Sequence, residues 1–526
     1  MVPVQVVQSQ SVPESAVSAP IARQQDRIRT VALTVLCFAA VLAVGLQQWA
    51  TVRIGGFDLG IFDQAVREYS HFHLPRSAIK NYHHEFPPGF SLLGDHFSPI
   101  LALLAPLYWV WDDPRMLIGA QAALFAAGVP VVRRIARHCF AAAPPVTARR
   151  AADLSCLVYG LGWPLLRASG VGFHEVAFAV PLTLLMLERG LARRYGAVLV
   201  CAALLCCVKE DLGLLAAAYG AVLGGPGRRS GDRSAVRCGL VLLVLGPVAS
   251  LLAIRVLIPA MGGVSGYYWN YGALGPDMGA VAMRFVTDPV TVFAVGVDHS
   301  EKVALLLWLL GSLLLLPLGS ATLWCGVPLL AERLFSDNPS HWATTHHYDA
   351  FVWPVLLVAA LETAARLHRR RVEWPVARWT LGAAACSLLL SVPFGLGALV
   401  LPAAWTPNPS EQALADAVHL VPTGATAEAD NNAVPRLTNR TKVVIADSTP
   451  RDAEYVLIQT VSKTFPFATV DEQRDRVRLL LGNGYTAVWS KDGVILLHRA
   501  EPALPVPGAH VPGKDSVPVK EPEVRP

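Results

Sequence analysis

The sequence predicts a mainly α, polytopic membrane protein of about eleven transmembrane helices with a small C-terminal α/β domain outside the membrane, and three observations carry that prediction. Of the 526 residues, 53% are hydrophobic and only 16% charged, and the apolar residues come in runs rather than in amphipathic stripes. Arginines gather at alternate ends of those runs, which marks those ends as cytoplasmic. Beyond residue 405 the long apolar runs stop, and short β-rich segments and polar helices replace them.

The formal charge of +5 is small for this length, and no Arg/Lys cluster is interleaved with aromatics, so composition excludes nucleic acid as a partner. All nine cysteines lie in apolar runs or beside their basic ends. That placement reads as core packing rather than a disulfide framework.

Taken in order, residues 1–22 are rich in Val, Ser, Gln and Pro and are expected to be disordered. Arg23, Arg27 and Arg29 precede an apolar run at 30–46, read as an uncleaved first span with its basic end inside. The polar stretch 50–99 is an outer loop with short interfacial helices. Residues 100–111 would make roughly 18 Å of helix against about 30 Å of hydrocarbon, so they are read as interfacial, and 116–135 as the crossing that follows. Spans are expected at 151–168 and 176–187. Both flanks of 195–225 are basic, so two short spans meeting at Lys209-Glu210-Asp211 keep both flanks inside and put the triplet at an outer turn. A span at 236–258 leads to a second outer segment at 259–302, whose aromatics include Tyr267 and Tyr268. A tight hairpin of spans is expected at 303–318 and 320–334, then spans at 350–367 and 379–401. In the outer domain, 405–500, helices are expected at 410–420 and 471–481 and strands at 442–446, 455–459, 486–490 and 494–498, with Lys491-Asp492-Gly493 as a hairpin turn. The Pro- and Val-rich tail, 501–526, is expected to be disordered.

By this topology Asp58, Asp63, Asp95, His96, His174, Glu175, Lys209, Glu210, Asp211, His346, His347 and Asp349 all lie at the outer surface, whereas the inner ends carry almost only Arg. Ionisable groups at membrane depth cost a few kcal/mol each unless paired or wetted, so a one-sided collection predicts a polar cavity opening outward. The plainer reading is that these residues only mark helix ends among the headgroups. Two carboxylates in such a loop can act as general base toward an acceptor hydroxyl or hold a divalent cation. Lys209 suits a phosphate. The sequence has no P-loop, no GxSxG and no dinucleotide-binding glycine pattern, so ATP hydrolysis and serine hydrolase chemistry lack support.

The segments FDLGIFDQ, GDHFSP before PLYWVW, GFHEVAF, VKEDLG, HHYD and NNAVPRL occur here in that order, and together they resemble a bacterial family of predicted membrane proteins of unknown function over most of residues 50–500. That family is similar in turn to the GT-C glycosyltransferases, which move sugars from polyprenyl-phosphate donors at the outer face of the membrane. The resemblance implies a GT-C-like membrane domain at 23–404, a polyprenyl-phosphate-linked sugar and membrane lipids as partners, and a catalytic acid in the first outer loop. Asp63 matches that acid best, with Gln64 where a second acid is usual and Asp58 as substitute. Lys209 resembles a phosphate-binding Lys that ends a comparable span. His96, His174, Glu175, Glu210, Asp211, His346 and His347 are expected to bind substrate beside it. The rival expectation is a non-enzymatic protein, either a transporter or a lipid-binding scaffold for envelope assembly. Transporters usually keep ionisable groups near the midplane between repeated halves, and no internal repeat is visible here.

Overall fold

The computed structural model describes residues 14–264, 269–370 and 375–499. Tyr267, Tyr268, residues 1–13 and the tail 501–526 lie outside them. The chain is mainly helical, with one five-stranded sheet near its C-terminal end. The first helix, Glu14–Ala50, begins inside the segment expected to be disordered.

Among the described residues, four helices are long and apolar enough to cross a membrane: Arg23–Ala50, Arg115–Cys139, Arg233–Ala260 and Arg378–Val400. A bent pair raises the count to five, so helix length and composition do not reach the expected eleven. The shortfall has local causes. The run at 151–168 is divided between Pro145–Gly160 and Trp163–Val171, where a Cβ on Gly162 would stand 2.7 Å from the Trp353 ring. The 195–225 segment parts into Tyr195–Cys206 and Leu212–Ser230 on either side of the KED triplet.

Two expectations are corrected. The 303–334 segment is not two continuous helices but Ser300–Gly311, two 3-10 turns and Val327–Leu334. Leu314 and Leu315 leave the helix there with φ of 45° and 60°. Nor is 259–302 a simple polar loop. It contains Met278–Thr287 and Pro289–Gly296, jointly as apolar as a span and bent by 111°. Asp288 makes the bend by capping the second helix, accepting a hydrogen bond from Thr291 N, with Pro289 in the first turn.

The basic helix ends are held by three separate sets of ion pairs. Arg133 bridges Asp26 (2.7 Å) and Asp153 (2.6 Å), Arg137 reaches Asp26 (2.5 Å), Arg134 pairs with Glu188 (3.1 Å), and Arg193 pairs with Asp232 (2.6 Å).

In the C-terminal region, β1 (Thr426–Ala429), β2 (Lys442–Ile445), β3 (Tyr455–Gln459), β4 (Tyr485–Lys491) and β5 (Val494–Arg499) form a sheet of order β2-β1-β3-β5-β4. The first three strands are parallel and the last two run antiparallel. Lys491-Asp492-Gly493 forms the expected tight turn, with φ of 48° at Asp492 and 76° at Gly493. Side chains alternate along β3: Leu457 joins the core continuous with the membrane helices, whereas Val456 and Ile458 pack with Val477 and Leu480 of the helix Val470–Leu481. The sheet is therefore covered on both faces, and one of those faces is continuous with the membrane part.

Candidate functional site

The site begins with a backbone irregularity. Gly56–Gly60 is a single π-helical turn that leads into the helix Ile61–Ser70, and it carries Asp58. Such turns often re-aim side chains at functional sites. Asp58 faces a cavity of about 180 Å³, and His96, His174, Glu175, Lys209, Glu210, Asp211 and His347 also line it. Their segments come from four separate parts of the chain.

Asp63 takes no part in the cavity lining. It is fully buried, held by Arg67 through two bonds (Nη1 to Oδ2 2.7 Å, Nη2 to Oδ1 3.0 Å), and the Tyr108 hydroxyl donates to its Oδ1 at 2.7 Å. Both of its oxygens are committed to these donors. His346 also stands outside the lining, edge-on to Tyr348 at 6.2 Å.

Around the cavity most cations meet a carboxylate. His96 Nδ1 lies 2.7 Å from Glu210 Oε1, and Phe97 N donates to the other oxygen at 3.1 Å. Burial alone would lower the His96 pKa, but Glu210 and then Asp95 outweigh it and push it up to about 9. Burial opposes ionisation of Glu210, yet His96 and then Lys209 hold its carboxyl well below the usual range. Lys209 Nζ is 3.2 Å from Asp211 Oδ2, Lys80 Nζ is 3.3 Å from Asp95 Oδ2, and Arg333 Nη1 is 2.7 Å from Asp349 Oδ1. His174 Nδ1 lies 2.6 Å from the fully buried Glu175.

His347 departs from this pattern. Its ring stacks on His174 with centroids 3.5 Å apart, and among the described residues neither of its ring nitrogens has a hydrogen-bond partner, although the residue is buried. Burial first, then the neighbouring charges of His174, His346, Lys209 and Arg333, hold its pKa well below the ordinary imidazole value. A neutral imidazole with two open nitrogens can both donate and accept toward a bound ligand.

A family model described as "Predicted membrane protein (DUF2079)" matches residues 49–496. The chain belongs to that family. Among solved structures, this DUF2079 protein is similar to ArnT from Cupriavidus metallidurans, both bound to undecaprenyl phosphate and in the apo state. Each match has 11% identity and a TM-score of 0.47, over 90% of this chain and 98% of that one. It is also similar to the Archaeoglobus fulgidus oligosaccharyltransferase tethered with an acceptor peptide, at 11% identity and a TM-score of 0.44, over 90% of this chain and 74% of that one. Both are GT-C glycosyltransferases, the class its motifs resemble. Comparison with curated proteins finds no match.

The DUF2079 cavity also includes Asp95, placed at the outer surface by the topology but given no role, and Lys80, Asn270, Tyr271, Glu332, Arg333 and His341, which the motifs did not single out. A signal existed for one pair. Glu332 and Arg333 interrupt an otherwise apolar run, and charge inside such a run is expensive unless it serves a site.

Proposed function

We propose that this protein transfers a sugar from a polyprenyl-phosphate donor to a cell-envelope acceptor at the outer face of the bacterial membrane. The observation that carries this reading is that one cavity gathers Asp58, Lys209 and the open imidazole of His347. Asp58 takes the base role first expected of Asp63, because Asp63 is committed to Arg67 and Tyr108.

In this reading Asp58 accepts the proton of an acceptor hydroxyl, and that oxygen attacks the anomeric carbon. The anomeric C–O bond to phosphate breaks, its electron pair passes to the phosphate oxygen, and polyprenyl phosphate departs with inversion at carbon. Lys209 and a nitrogen of His347 meet the charge that grows on the leaving phosphate. Among the described residues no three His, Cys, Asp or Glu side chains converge as a metal-ligand set. The Arg-rich helix ends, of which those at Arg133 and Arg137 share Asp26 with the first helix, support an orientation with those ends and the N-terminus inside, and the cavity and C-terminal sheet outside.

The test is transfer from undecaprenyl-phosphate sugars in proteoliposomes. Asp58→Asn is expected to lose about 10²–10⁴-fold in turnover. Full activity of that variant in folded protein overturns the assignment. Native mass spectrometry in mild detergent gives a second readout: co-purified polyprenyl phosphate present in wild type and lost in Lys209→Ala supports the donor site. Lys209 already has a carboxylate partner, so a donor phosphate must compete with Asp211 for it.

A further inference from the structure

The motif NNAVPRL has no place in the reaction just described, yet its position in the fold is specific. β1 lies between β2 and β3, and the chain passes from β1 to β2 on one side and later to β3 on the other. The carboxyl ends of β1 and β3 therefore flank a topological switch point, the place where open parallel sheets usually take a ligand. Asp430 and Asn431 follow β1, and Thr464 and Phe465 lie beyond β3, with the Thr464 hydroxyl donating to Asp430 Oδ2 at 2.9 Å.

The occupant of this crevice is the turn that carries Asp58. Gly56 N donates to Asn431 O (2.7 Å), Phe57 N donates to Asn431 Oδ1 (3.0 Å), and the Phe57 ring packs edge-on against Phe465 at 4.8 Å. The approach is close enough to require glycine. A Cβ on Gly55 would meet Asn431 Nδ2 at 2.6 Å, and one on Gly56 would meet Val434 Cγ1 at 2.5 Å. Further bonds tie down the helix that follows: Gln64 Nε2 donates to Val443 O (3.1 Å) and Arg67 Nη1 to Thr438 O (3.1 Å).

We infer that Asn431 is a positioning residue, and that the C-terminal sheet uses its switch-point crevice to clamp the Gly56–Gly60 turn and so fix Asp58 in the cavity. The clamp rests on the reading of Asp58 as the base. Asn431 does not touch the reacting atoms. It satisfies two successive backbone N–H groups of a turn that has no regular helical register of its own.

Amide hydrogen exchange of the full-length protein in detergent, read together with transfer kinetics, tests the clamp. In Asn431→Ala, exchange across residues 56–60 is expected to quicken at least tenfold while the amides of β3 and β5 stay as protected as in wild type. Turnover is expected to fall at least tenfold with the donor KM within twofold. Asn431→Asp keeps an acceptor at the same place and is expected to restore slow exchange. Unchanged exchange at 56–60 in Asn431→Ala overturns the clamp, and so does quickened exchange with undiminished turnover. If the wild-type protein transfers no sugar at all, the reaction fails, and exchange in the two variants still decides whether Asn431 holds the turn.

Discussion

The two acids of the first outer loop are separated by five positions and by opposite surroundings. Asp63 sits in an enclosed pocket with Arg67 and Tyr108, whereas Asp58 faces the polar cavity. Removing one member of a buried ion pair costs roughly 3–5 kcal/mol when the other is left unpaired, and less here because Arg67 keeps Asp112 at 2.8 Å. Asp63→Ala is therefore expected to lower the melting temperature in detergent by several degrees, while Asp58→Asn changes activity with little effect on melting. The His96–Glu210 pair predicts a pH dependence. The folded pKa of His96 is raised to about 9 and that of Glu210 is lowered, so the pair is fully charged near neutrality. A raised histidine adds stability that is complete below its unfolded pKa of about 6.5 and is lost as pH rises through the folded value. Melting temperature measured from pH 6.5 to 10 is expected to fall toward the alkaline end, and Glu210→Gln is expected to flatten that decline.

Among the elements, the π-helical turn packs closely on the short 3-10 helix Val434–Arg436, which follows β1. Because a Cβ on Gly56 would overlap Val434, Gly56→Ala is expected to destabilise the protein, and Val434→Ala is expected to relieve part of that loss. A double-mutant cycle on melting temperature checks the coupling, since residues in direct contact depart from additivity. Four of the five strands match sequence expectation closely, because alternating β-branched and apolar residues bounded by turn residues are a local signal. β1, the middle strand of the parallel set, reads Thr-Ala-Glu-Ala and carries no such signal. Its Glu428 is buried only because Arg476, from the distant helix Val470–Leu481, reaches it at 2.6 Å.

Across the whole molecule, a continuous apolar core joins the membrane helices to the C-terminal sheet, and polar contacts reinforce the join. Arg53 pairs with Glu411 at 2.8 Å, and Arg436 stacks over Trp49 at 5.1 Å, itself at the end of the first helix. The two regions are therefore expected to melt in one transition. Scanning calorimetry of the detergent-solubilised protein checks this, and two separated transitions would show the sheet to be an independent unit.

The sequence by itself determined the helical membrane class, the α/β end, the break at the KED triplet and most of the chemical groups that line the cavity. Each of these is written in local composition or in charge at the ends of apolar runs. Only the tertiary structure decided which acid faces the cavity. Asp58 and Asp63 share one motif and one loop, and their roles part only where Arg67, Tyr108 and Asn431 come into contact with that loop. The bend at 278–296, by contrast, is written locally in Asp288 and Pro289.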